Sequence, residues 1–167
     1  MIYIVDGHNL IPKIPGLTLG QLDDEDQLIE ILQEYARLTR SCIEVYFDKA
    51  VPGFGGKKKV GMIKVQYVSE KTTADEVIIR RVQTAGKRSA ELTVISSDQH
   101  VLQQIRSLGA KSLSSDQFSK EIRRTFQDPP VFHKKTRALP LERPLSEHEV
   151  SEWLEMFNSG PSEKYSE

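Results

Sequence analysis

Short β-branched runs alternate with helix-length amphipathic stretches, and this alternation restricts the chain more than any other feature. The runs are Ile2–Val5, Ile43–Phe47, Ile63–Val68, Leu92–Ile95 and Lys111–Leu113. Gln21–Arg40 sets Leu22, Leu28, Ile31, Leu32, Tyr35 and Leu38 on one helical face. Thr73–Ala85, Val101–Leu108 and Ser115–Phe126 carry the same periodicity, the last with Phe118, Ile122 and Phe126. Strands that alternate with helices predict an α/β fold of three layers: a mainly parallel five-stranded sheet with helices on both faces. Phe47 to Ile63 differs, because four glycines and a proline lie between them, and this stretch reads as a loop.

The pattern predicts a domain over residues 1–127. Residues 128–145 contain Asp-Pro-Pro, the basic run His133-Lys134-Lys135-Thr136-Arg137, then Pro140 and Pro144, and read as a Pro-rich basic linker. In 146–167 a C-terminal amphipathic helix is expected, followed by a frayed tail. Ser146 with Glu149 forms its capping box and Leu145 with Val150 its hydrophobic staple; Val150, Trp153, Leu154 and Phe157 make the apolar face.

Twenty-three basic against 24 acidic side chains give a net charge of -1, so any basic footprint for nucleic acid has to be local. The single cysteine, Cys42, excludes an internal disulfide and a zinc site of several thiolates, and reads as a small buried hydrophobe. No apolar stretch is long enough to span a bilayer, and Met-Ile-Tyr-Ile-Val lacks the features of a signal peptide, so the cytoplasm is the expected compartment. Gly53-Phe54-Gly55-Gly56 opens no helix, and Gly56-Lys57 lacks the remaining P-loop residues, so no nucleotide cofactor is expected.

In an open parallel sheet, ligands bind beyond the carboxyl ends of the strands. Asp6 follows the first run, Asp48 follows the second, and Asp98 follows the fourth after two serines. Like charges gathered on one edge raise each other's pKa and call for a cation. A further acid comes from a helix start: Thr73 with Glu76 fits a capping box, which leaves Asp75 for another task or for the helix dipole alone. Asp98 has a second reading as N-cap of the next helix, a role Ser97 could equally fill. Carboxylates without thiols suit Mg²⁺ or Mn²⁺ and hence metal-assisted phosphodiester hydrolysis. Asn9 either orients Asp6, a ligand water or a scissile phosphate, or is a turn residue after Gly7. His8 is adjacent but equally fits a surface role, and His100, His133 and His148 lack metal-ligand spacing.

Val-Asp-Gly-His-Asn-Leu-Ile at 5–11 resembles the opening motif of the NYN domains, a branch of the PIN-like nucleases. Tyr-Phe-Asp at 46–48, Thr-Ala-Asp-Glu at 73–76 and Val-Ile-Ser-Ser-Asp at 94–98 resemble the later acidic motifs in the same order. The YacP-like group, which includes a ribosome-associated endoribonuclease, is the best match; it covers residues 1–125, and the C-terminal helix is similar to that group's tail. His8 stands where the family usually has an aromatic residue. The resemblance implies a PIN-like fold and a metal-dependent endoribonuclease, with messenger RNA on the ribosome as the implied substrate and partner. It implies Asp6, Asp75 and Asp98 as metal ligands, supported by Asn9 and Asp48. From the residues themselves, Lys57, Lys58 and Lys59 on the glycine-rich loop read either as RNA-binding cations, with Arg80 and Arg81 adding positive charge, or as a solvated charge run. The alternative is a non-catalytic RNA- or ribosome-binding module on the same fold.

Overall fold

The computed structural model describes residues 1–48 and 56–130. The C-terminal helix, its staple and nearly all of the linker read from the sequence lie outside these residues. The chain runs β1 (Ile2–Asp6), α1 (Gly7–Leu10), α2 (Asp24–Thr39), β2 (Cys42–Phe47), β3 (Gly56–Val60), β4 (Ile63–Tyr67), α3 (Ala74–Ala85), β5 (Leu92–Ser96), α4 (Gln99–Ser107), β6 (Lys111–Ser114) and α5 (Ser115–Gln127). The sheet has six strands in the order β3-β4-β2-β1-β5-β6. Every pairing is parallel except β3 with β4, so the carboxyl ends of the other five strands share one edge.

Period-two alternation sorts the strand residues onto two faces. Tyr3, Val5, Ile43, Val45, Phe47, Ile63 and Val65 pack with Leu28, Leu32 and Tyr35 of α2 and Phe118 and Ile122 of α5. Ile4, Tyr46 and Val94 face the other way, against Ile78 and Val82 of α3 and Val101 and Ile105 of α4. Helices lie on both faces of the sheet, as the alternation predicted, and the second face is covered over its central strands.

Four expectations need correction. The sheet gains a sixth strand because Gly56–Val60 is not loop: it pairs antiparallel with β4 through a two-residue turn at Gly61 and Met62. Gly61 has φ 59°, which suits the tight hairpin. The second helix starts at Asp24, beyond Leu22, which is fully exposed instead of on the apolar face. Phe126, in the last turn of α5, is likewise exposed. Cys42 is exposed, because it is the first residue of β2 and lies outside the covered part of the strand.

Candidate functional site

β1 ends in Asp6, which is buried, 4% exposed, and serves as N-cap of α1. Its Oδ1 accepts from the Asn9 backbone N–H at 3.2 Å, and its Oδ2 accepts from Asn9 Nδ2 at 2.8 Å. The same amide donates to Ser96 Oγ at 3.1 Å, at the end of neighbouring β5. Ser96 Oγ accepts in turn from the Asp98 backbone N–H at 3.1 Å, and Ser97 Oγ donates to the Asn9 carbonyl at 3.3 Å. Asn9 therefore ties the Asp6 carboxylate to the start of α4. Ser96, fully buried, joins this network although the sequence did not single it out; its one signal there is the Ser-Ser pair before Asp98.

The tight start of α1 depends on Gly7, where a Cβ would run into the Phe47 ring. His8 packs beside that ring, and its Nε2 lies 3.0 Å from Glu25 Oε1. The hydrogen bond to Glu25 raises the His8 pKa more than its partial burial lowers it.

Asp75 occupies the first turn of α3, whose N-cap Thr73 accepts from the Glu76 N–H at 3.3 Å. Asp48 reaches the same helix end, its Oδ1 accepting from the Ala74 N–H at 2.5 Å. Asp98 is the N-cap of α4, with Oδ1 accepting from the N–H groups of His100 at 2.8 Å and Val101 at 3.4 Å. The capping task left open between Ser97 and Asp98 falls to Asp98.

The four aspartates influence one another through charge. Burial is the main cause that pushes the Asp6 pKa up to about 6, and the charges of Asp75 and Asp48 push the same way against the Asn9 hydrogen bond. Burial also raises Asp75, followed by the charges of Asp98 and Asp48, while hydrogen bonding with the Asp6 carboxyl opposes the rise. Asp6 and Asp75 thus act on each other, with the charges of Asp48 and Asp98 close by. Asp75 Oδ1 is buried and has no hydrogen-bond partner. A buried, unpartnered carboxylate oxygen among raised acids fits a hard divalent cation, as does the all-oxygen donor set of carboxylate, amide and hydroxyl groups. Among the described residues no three acids, histidines or cysteines stand close enough together to ligate one ion.

The predicted basic residues separate. Lys57, Lys58 and Lys59 lie exposed on β3, the edge strand. Arg80 is exposed on α3. Arg81 is instead half-buried and paired with the buried Glu44 of β2, donating from Nε to Oε2 at 2.8 Å and from an Nη to Oε1 at 3.1 Å. Lys64 Nζ approaches Glu44 Oε1 at 3.3 Å. Burial would raise the Glu44 pKa, but Arg81 and Lys64 outweigh it and hold the carboxyl below its ordinary value. No described helix is long and apolar enough to cross a membrane.

Comparison with known proteins agrees with this fold. Bacillus subtilis (strain 168) YacP, described as an uncharacterized protein, is 26% identical over 156 residues, which is 90% of each chain. The crystal structure of Rae1 (YacP) from Bacillus subtilis is similar with a TM-score of 0.64 and 27% identity, covering 76% of each chain. The crystal structure of a mutant of the same Bacillus subtilis protein gives a TM-score of 0.62 at 25% identity, over 75% of this chain and 77% of that one. The family model of the YacP-like NYN domain matches residues 3–158. With that match spanning nearly the whole chain, and with Asp6, Asp48, Asp75 and Asp98 interacting at one sheet edge, the protein belongs to the YacP-like NYN domain family, a family of nuclease-type domains.

Proposed function

We propose that this protein is a divalent-metal-dependent endoribonuclease that hydrolyses RNA phosphodiester bonds at the carboxyl edge of its sheet. The observation that carries the reading is the Asp6–Asp75 pair: two acids with raised pKa values, one presenting a buried oxygen without a partner. Asp6 and Asp75 would hold Mg²⁺ or Mn²⁺, with Asp98 and Asp48 contributing their charge and the oxygens not used in capping. A bound divalent ion supplies a more acidic water and stabilises charge on the leaving oxygen.

The protein's own groups do the positioning. Asn9 fixes both oxygens of Asp6 and, through Ser96, keeps the β1 and β5 ends in register. Thr73 and Asp48 hold the first turn of α3 and with it the Asp75 backbone. Exposed cations such as Lys57 and Lys59 of β3 and Arg80 of α3 would offset the repulsion between an RNA strand and the aspartates. RNA as substrate extends this reading by the homology to Rae1, and messenger RNA on the ribosome as its setting extends it further by the resemblance of the motifs to the YacP-like group.

Incubation of purified protein with RNA and Mn²⁺ or Mg²⁺ tests it. Endonucleolytic products that disappear with EDTA and in Asp6→Asn and Asp75→Asn support the proposal. Undiminished cleavage in both variants contradicts it, and RNA binding without turnover in either metal favours a non-catalytic binding module.

A further inference from the structure

α3 leaves the outer strands of the sheet uncovered on its own side. A cavity of about 430 Å³ opens there, lined by Glu44 and Tyr46 of β2, Lys64, Val65 and Gln66 of β4, Lys57, Lys58 and Lys59 of β3, and Arg81 of α3. Strand register divides the three lysines of β3. Lys57 pairs with Gln66 and Lys59 with Lys64, on the face that carries Glu44 and Tyr46. Lys58 pairs with Val65, whose side chain belongs to the opposite core, so alternation turns Lys58 away.

The cavity face therefore carries Lys57, Lys59, Lys64 and Arg81 against one lining carboxylate, Glu44, which Arg81 already pairs. One wall of the cavity stands next to the strand that ends in Asp6. Tyr46, one of its walls, is the register partner of Asp6. Arg81 lies six residues from Asp75 on α3, about 9 Å along the helix axis at 1.5 Å per residue.

We infer that this cavity is the subsite that holds the sugar–phosphate backbone of an RNA strand beside the point of cleavage, through Lys57, Lys59 and Lys64. The inference rests on the proposed RNA substrate. In this arrangement the Glu44–Arg81 pair is a positioning element: it fixes the cavity floor and places Lys64 at its wall. Edge-strand lysines also serve to block sheet-to-sheet pairing, which is the competing account of Lys57–Lys59. That account treats the three lysines alike, whereas the strand register sets Lys58, although it borders the cavity, on the opposite face from its neighbours.

Fluorescence anisotropy with a labelled single-stranded RNA oligonucleotide, in EDTA to prevent turnover, tests the difference. Lys57→Ala/Lys59→Ala should weaken binding at low salt by about fivefold or more, and should flatten the log–log salt dependence by roughly 0.7 per lost contact. Lys58→Ala should stay within about twofold of the parent, with equal melting temperatures showing that all variants are folded. Lys64→Gln should follow the double variant. A Lys58→Ala loss as large as the double variant's, or parental affinity in a folded double variant, overturns the inference. Displacement of the RNA by low-millimolar uridine monophosphate also overturns it, in favour of a mononucleotide site. Cleavage with Mn²⁺ is scored separately. Cleavage that is metal-dependent while the double variant binds normally removes the subsite alone; normal lysine dependence without cleavage removes the nuclease reading alone.

Discussion

A carboxylate buried beside other carboxylates is costly to ionise, and Asp6 carries that cost at neutral pH because Asp75 and Asp48 add to its desolvation. Its folded-state pKa of about 6 lies above the ordinary 3.8, so the folded protein binds the extra proton between these values. Stability from this group is therefore full below about pH 4, falls as pH rises through about 6, and stays lower above; the gap of about 2 units corresponds to roughly 3 kcal/mol. Urea unfolding in EDTA should find Asp6→Asn more stable than the parent by about 1–3 kcal/mol near pH 7, with little gain near pH 4. An unchanged or lower stability near pH 7 would show that the acids do not strain one another. Gly7→Ala should act in the opposite direction. The added methyl meets the Phe47 ring, and a loss of about 1–3 kcal/mol in the same assay is expected. Asp6 and Asn9 were legible in the sequence because a single short motif contains both. Ser96 was not, since the Ser-Ser pair before Asp98 marks a strand end but does not announce a partner 87 positions away in the chain.

Elements locate the acids through their ends. The first turn of α3 is held by Thr73 and by Asp48 from β2, so a helix cap and a strand end jointly determine where Asp75 lies. Thr73→Ala should cost about 1 kcal/mol of stability. Its effect on RNA cleavage should exceed that of Thr84→Ala at the far end of α3, and equal rates would show that the cap does not position Asp75. Farther along, α3 is anchored by Arg81 on Glu44. Arg81→Met leaves a buried carboxylate with Lys64 as its remaining ion-pair partner and should lower stability by about 3 kcal/mol, measured by thermal or urea unfolding. A loss under about 0.5 kcal/mol would mean the pair contributes little.

These contacts explain what the sequence concealed. Glu44 and Tyr46 alternate with Ile43, Val45 and Phe47, a period-two signal inside a run that otherwise reads as uniformly apolar. Lys57, Lys58 and Lys59 carry no alternation at all, and their strand identity comes from pairing with β4, which local pattern does not encode. The parallel strands and the long helices were legible because each buries a repeated apolar face.

At the scale of the whole molecule, the topology gathers what the chain keeps apart. Residues 6, 48, 75 and 98 are far separated in sequence, yet β1, β2 and β5 end on one edge and β4 delivers α3 there. The same sheet leaves β3 and β4 uncovered beside α3, so an acidic edge and a basic cavity adjoin on one body. This pairing of opposite fields suits an enzyme that must hold a polyanion against carboxylates, and it makes the metal central to the account. Anomalous diffraction from a crystal soaked in Mn²⁺ is the most direct measurement. The account predicts a peak within direct coordination distance of both Asp6 and Asp75, lost in Asp75→Asn. A peak elsewhere, or none at Mn²⁺ concentrations that support RNA cleavage, would contradict it.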